Sequence, residues 1–154
     1  MTIPTGNIKI FLGIMALGMA ACASTQPSTQ GSENPSALKP CPRSPNCVSS
    51  QGPHGKQYIL PLAYSTDPDV AYQALIGILD AEKRATIVAR KKNYIHAEFV
   101  SRIFRFVDDV EFLFEPDQFV VHVRSASRSG SYDFGANRRR IEHLRRLFAA
   151  ALEP

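Results

Sequence analysis

Phe104-Arg105-Phe106-Val107-Asp108-Asp109-Val110-Glu111-Phe112-Leu113-Phe114, with the turn Glu115-Pro116-Asp117-Gln118 and the run Phe119-Val120-Val121-His122-Val123-Arg124-Ser125-Ala126 after it, decides the fold. Successive side chains of a strand point to opposite faces of a sheet. Phe104, Phe106, Asp108, Val110, Phe112 and Phe114 therefore share one face, and Asp109 and Glu111 take the other. A hairpin closed at residues 115–118 sets Phe114 against Phe119, Phe112 against Val121 and Val110 against Val123. On the opposite face Glu111 then meets His122 and Asp109 meets Arg124. A slip of one residue would bury the charges, so the two faces set the register together.

Outward from this hairpin the signals are shorter. Thr86–Ala89 and Tyr94–Val100 read as strands around the turn Lys91-Lys92-Asn93, and Tyr58–Leu62 as a brief strand. Asp67 caps a helix that Pro68 opens and that runs to about Lys83, with Val70, Ala74, Leu75, Ile78 and Leu79 on its apolar side. A last helix runs from near Gly135 to about Leu152, with Asp133 as N-cap and Ile141, Leu144, Phe148 and Ala151 as its stripe. The fold class is α+β: an antiparallel sheet of about four to five strands with two helices packed on one face. No repeat is evident, and residues 39–154 read as a single domain.

The start of the chain has a different character. Lys9, the apolar run Ile10–Met19 and Ala20-Ala21 precede Cys22. A helix that spans a bilayer needs roughly 20 apolar residues, and this run is about half as long, which suits a signal peptide over residues 1–21. Met19-Ala20-Ala21-Cys22 resembles a lipobox, so lipid on the Cys22 thiol and cleavage before it are expected. Ordinary cleavage near Ala21 or Ala23, which discards Cys22 or leaves it free, is the competing reading. Residues 22–38 are polar and rich in Ser, Thr, Gln, Pro and Gly, the composition of a flexible tether. These features place the protein in the cell envelope, membrane-attached through its N-terminal lipid and facing the periplasm. Ala23 after the cysteine favours the outer over the inner membrane.

Of the three cysteines, Cys41 and Cys47 remain once Cys22 is lipidated. An even remainder in an exported chain reads as a disulfide, and closing so short a loop stabilises the fold by about 2 kcal/mol. Cys41, Cys47 and His54 match no standard zinc spacing, and a redox pair would be separated by two residues. No metal site or cofactor is expected. The net charge of +4 falls to +3 when Lys9 leaves with the leader. Envelope location argues against nucleic acid as a partner, and the arginines of the last helix suit an anionic ligand or an envelope protein.

Candidate site residues converge on the segment Ser125–Asn137. Arg138 lies three residues before Ile141, which turns it toward the buried side of the helix, and Asp108 is the one acid on the core face of the long strand. A buried charge is costly unless satisfied, so Arg138 and Asp108 are expected to pair or to share a polar cluster with Ser125 and Asn137. Arg128, Asp133 and Asn137 lie beside a helix N-terminus that suits an anion, although Asp133 can occupy that cap itself. Arg124, with Asp109, Glu111, His122, His96 and Glu98, lies on the opposite sheet face as either a ligand surface or a set of cross-strand pairs. Asp108, Arg124, Arg128, Asp133, Asn137 and Arg138 are therefore the candidate binding residues. No catalytic motif is present.

Four separated stretches point to one family. Cys41-Pro42-x-Ser44-Pro45-Asn46-Cys47-Val48-Ser49-Ser50, Phe106-Val107-Asp108-Asp109-Val110-Glu111, Arg124-Ser125-Ala126-Ser127-Arg128 and Asp133-Phe134-Gly135-x-Asn137-Arg138-x-Arg140-Ile141 resemble the family catalogued as domain of unknown function 1499. The resemblance extends from about Pro40 to Phe148. It implies an exported, often lipid-anchored protein and brings no established reaction. The expected function is a non-catalytic envelope binding or interaction module. The alternative is an enzyme that acts on an anionic envelope substrate through the Asp/Arg cluster.

Overall fold

The structure, a computed structural model, describes Met1 and residues 35–153. The expected leader, Cys22 and most of the expected tether lie outside the described residues. Every element below belongs to the unit Gly31–Pro154.

In chain order the elements are β1 (Cys47–Ser49), β2 (Leu62–Ala63), α1 (Pro68–Ala81), β3 (Ala85–Lys91), β4 (Tyr94–Val100), β5 (Val107–Glu115), β6 (Val120–Ser127) and α2 (Ala136–Leu152). They form a six-stranded antiparallel sheet in the order β1-β6-β5-β4-β3, with β2 also paired to β6. Two helices and this sheet make the expected α+β class, with one strand more than the sequence signals suggest. The additional strand, β1, is three residues long, too short for a periodic pattern to reveal. Tyr58–Leu62 is not a continuous strand: Tyr58 makes an isolated parallel bridge to Ser49, and regular pairing begins at Leu62. The disulfide between Cys41 and Cys47 is present, with Cα atoms 5.7 Å apart.

The central hairpin keeps its expected faces and changes every partner. Phe114 pairs with Val121, Phe112 with Val123, Val110 with Ser125 and Glu111 with Arg124. This is a shift of two residues from the expected register. Pro116–Gln118 form a 3₁₀ turn, and Phe119 closes it in the left-handed region at φ 53° with its N–H bonded to Pro116 O at 3.1 Å. Phe119 is thereby removed from the ladder, and pairing starts at Glu115 with Val120. A two-residue slip preserves side-chain parity, which is why sidedness survived while the pairing did not.

Val110, Phe112, Val121 and Val123 on the inner sheet face are fully buried against Leu75 and Leu79 of α1 and Ile141, Leu144 and Phe148 of α2. The buried stripe of α1 is Ala71, Leu75, Ile76 and Leu79, and Val70 faces outward. Asp67 caps this helix as expected, its Oδ1 accepting from Asp69 N at 2.8 Å. In α2 the stripe begins at Asn137, and Ala151 is exposed where burial was expected. Among the described residues no helix is long and apolar enough to cross a membrane.

Candidate functional site: an aromatic cleft above a closed polar floor

The floor starts from one acid placed on a hydrophobic face. Asp108, second residue of β5, points inward between strand and helix, and its side chain is 7 % exposed. The Arg140 guanidinium donates to its Oδ2, to Ser125 Oγ at 2.9 Å and to Asn137 Oδ1 at 2.6 Å, and lies 5.0 Å from the centre of the Phe99 ring. Asn137 donates in turn to Asn46 O at 2.9 Å, Ser127 Oγ at 3.0 Å and Asp133 Oδ2 at 2.8 Å. Asp133 accepts from Gly135 N and Asn137 N, both at 2.9 Å, and so ties down the start of α2, although the N-cap position belongs to the left-handed Gly135 and not, as expected, to Asp133. Burial works against the charged form of Asp133, but these backbone donors outweigh it and hold its pKa below the ordinary carboxylate value.

The expected cluster of Asp108, Ser125 and Asn137 is therefore real, but its cation is Arg140 and not Arg138. Arg138 donates to Lys56 O at 2.8 Å and Tyr58 O at 2.7 Å. The two arginines flank the stripe Asn137–Ile141–Leu144 on opposite sides, at 100° per residue, and only one flank faces β5. Spacing from Ile141 alone could not distinguish them.

The other sheet face carries a second network. Arg124 donates to Glu111 at 2.7 Å, and Tyr94 OH donates to the same carboxylate at 2.9 Å. Arg128 forms ion pairs with Glu98 and with Asp109, the latter at 2.7 Å, and His96 Nε2 lies 2.7 Å from Asp109. Burial opposes ionisation of Asp109, yet hydrogen bonds from His96 and Arg128 prevail and keep its carboxyl well below the usual range. His122 Nε2 lies 2.8 Å from Glu115 Oε2, and its Nδ1 lies 3.1 Å from Ser50 Oγ. Burial and then the neighbouring Glu111 push the Tyr94 hydroxyl pKa up. Arg124 keeps one buried N–H, at Nε, without a protein partner. The six candidate residues are thus divided among three places. Asp108, Asp133 and Asn137 belong to the floor, Arg124 and Arg128 to the outer network, and Arg138 to the loop before β2.

What opens beside the floor is apolar. A cavity of about 350 Å³ lies between the β4–β5 loop and the β6–α2 loop, with Asp108, Ser127 and Asp133 among its lining residues. Phe104 and Phe106 stack with centroids 5.5 Å apart on one wall, and Tyr132 and Phe134 meet edge to face at 4.9 Å on the other. Ile103 and Phe134 are each 79 % exposed, and Phe104 is 72 % exposed. Phe104 and Phe106 were expected on the strand's core face, but β5 begins at Val107. Arg105 at φ 56° and Phe134 at φ 53° adopt left-handed conformations that non-glycine residues rarely hold, one on each loop. Each loop is nonetheless tied at its base. Ser101 exchanges backbone and side-chain bonds of 2.8 Å with Phe106, and Asn46 Nδ2 donates to Gly130 O at 2.6 Å. Sequence reasoning missed Arg140 and the rim residues Ile103, Phe104, Phe106, Tyr132 and Phe134 as a group. The one available signal was Ile103, which breaks the alternation that Phe104 and Phe106 extend backward from the strand.

Sheet, helix pair and cleft define a two-layer α+β domain with its open surface at the β5–α2 end. Residues 37–148 match the family described as "Protein of unknown function (DUF1499)", and the chain belongs to that family. Among curated proteins no sequence matches it.

Proposed function

We propose that this chain is a non-catalytic cell-envelope lipoprotein, held through lipid on Cys22, whose binding face is the aromatic cleft. The anchor reading rests on the leader pattern and on the cysteine that follows it. The binding reading rests on one observation. The polar groups nearest the cleft already satisfy one another, whereas the aromatic rings around it pair only within their own loops and stay largely exposed. Ligand pockets are concave and mostly apolar with a few fixed polar groups, and this cleft has that make-up. An enzyme working through Asp108, Arg124, Arg128, Asp133 and Arg138 would need those groups free to meet a substrate. Instead Asp108 is held by Arg140, Asp133 by the α2 backbone, Arg124 by Glu111, Arg128 by two carboxylates and Arg138 by two carbonyls.

The test is photo-crosslinking in the producing cell, with benzoyl-phenylalanine placed at position 104, 134 or 88. Val88 is an exposed apolar position on β3, away from the cleft loops. Adducts in the envelope fraction from positions 104 and 134, and none from 88, are expected. Equal labelling at all three positions, or none at the cleft, overturns the reading.

A further inference from the structure

We propose that the cleft rim docks on an anionic bilayer surface, with Ile103, Phe104 and Phe134 entering the boundary between headgroups and acyl chains while Arg102 and Arg105 meet lipid phosphates. The inference rests on the cleft being a binding face, and it names the partner of that face.

The sequence of the β4–β5 loop, Ser101-Arg102-Ile103-Phe104-Arg105-Phe106, alternates cations with large apolar groups. Arg102 to Phe106 are all exposed. Among the described residues Arg102 and Arg105 have neither a carboxylate nor a hydrogen-bonding partner, in contrast to Arg90, Arg124, Arg128 and Arg140, which are all ion-paired. The β6–α2 loop sets Tyr132 and Phe134 beside this loop across the cleft, and Arg139 lies behind Phe134, donating to its carbonyl oxygen at 2.7 Å. Large apolar side chains gathered at loop tips are unusual on a protein that meets only water. Aromatic rings and arginines are the residue types that settle at a membrane interface, where one end is apolar and the other wet. The acids nearest the rim do not oppose this. Asp108 is recessed and neutralised by Arg140, and Asp133 is occupied by the end of α2. The rim that faces outward is therefore positive and apolar, complementary to phosphate headgroups above an acyl layer. Two small aromatic pairs set among cations, on separate loops, suit a layer that is apolar below and anionic above. An N-terminal lipid on Cys22 would hold the domain near the bilayer at high effective concentration, where even a modest apolar and cationic contact from the rim is populated.

The chain contains no tryptophan, so one introduced indole is an unambiguous reporter. The full chain carrying Phe104→Trp, Phe134→Trp or Val88→Trp is purified from membranes. Each is reconstituted into vesicles of phosphatidylglycerol and phosphatidylethanolamine, with or without brominated acyl chains. The indoles at 104 and 134 are expected to shift to shorter wavelength and to be quenched by the brominated lipid, and the indole at 88 to do neither. Adding Arg102→Glu and Arg105→Glu is expected to weaken insertion roughly tenfold or more, because each cation near an anionic surface adds to the attraction. Indoles at 104 and 134 that are quenched no more than the one at 88 overturn the proposal. If the cleft positions crosslink a protein in cells while those indoles stay unquenched, the cleft remains a binding face and the bilayer is not its partner. If neither signal appears, the binding-face reading falls as well.

Discussion

The polar floor beneath α2 and the aromatic rim above it come from neighbouring residues of the same segments, yet one is closed and the other open. Asp108 and Phe106 stand two positions apart on one stretch of chain, and Asp133 and Phe134 are adjacent. Inside, each charge or amide is bound to another: Asp108 to Arg140, Asn137 to Asp133, Ser125 to Asn137. Outside, four aromatic rings pair with one another and stay 51–79 % exposed. Residue type alone thus draws attention to the half whose groups are already paired. The charged residues hold the structure together because burial leaves them no alternative, and the apolar ones are available because the loops lift them off the core.

The largest expected difference between the two regions is in stability. Arg140→Ala leaves the Asp108 carboxylate buried without its cation, and removing one member of such a pair costs about 3–5 kcal/mol. Urea unfolding measures it. A loss below about 1 kcal/mol, the size of an exposed ion pair, would mean that the floor is no more closed than the surface. A smaller effect belongs to the outer network. The Asp109 carboxyl titrates below its ordinary value in the folded protein, so the unfolded chain binds a proton first as pH falls. The stability it contributes is therefore full above about pH 4 and is lost on further acidification. Urea midpoints between about pH 6 and about pH 3 should decline less steeply in Asp109→Asn than in the parent, with the remaining slope including that of Asp133. An unchanged slope would show that the Arg128 and His96 contacts do not hold in solution. The smallest effect belongs to the rim. Phe104→Ala and Phe134→Ala should change stability by no more than about 0.5 kcal/mol, as exposed positions do, even though they remove large aromatic groups. A loss like that of a buried phenylalanine, about 3–5 kcal/mol, would mean that the rings pack into the molecule and that the cleft is not open.

Much of this architecture could be read from the chain. The alternation from Asp108 to Phe114, the turn near 115–118 and the run that follows specify an antiparallel hairpin with one apolar core face. Asp67-Pro68 and Asp133 mark where both helices start. Cys41 and Cys47 find each other as their spacing suggested. Three things were not legible, each for its own reason. The hairpin register depends on where the four-residue turn sits, and it occupies 116–119, closed by the left-handed Phe119, one position later than 115–118, which moves every pair by two. The partner of Asp108 depends on the rotation of α2 about its axis, which the apolar stripe defines only to within a residue or two. The exposure of Phe104 and Phe106 depends on where β5 begins, and an alternating pattern has the same form inside a sheet and just beyond its end.

Periodicity and punctuation are local properties, so the order of the longer strands and helices, the sidedness of the central hairpin and the cap of α1 were already set by neighbours along the chain. Which arginine meets which acid, and whether an aromatic side chain is covered, are relations between segments distant in sequence, from Asn46 to Arg140. Burial and pairing at that range follow from how α2 and the two loops pack against β5 and β6. For that reason the closed floor and the open cleft belong to the tertiary structure alone.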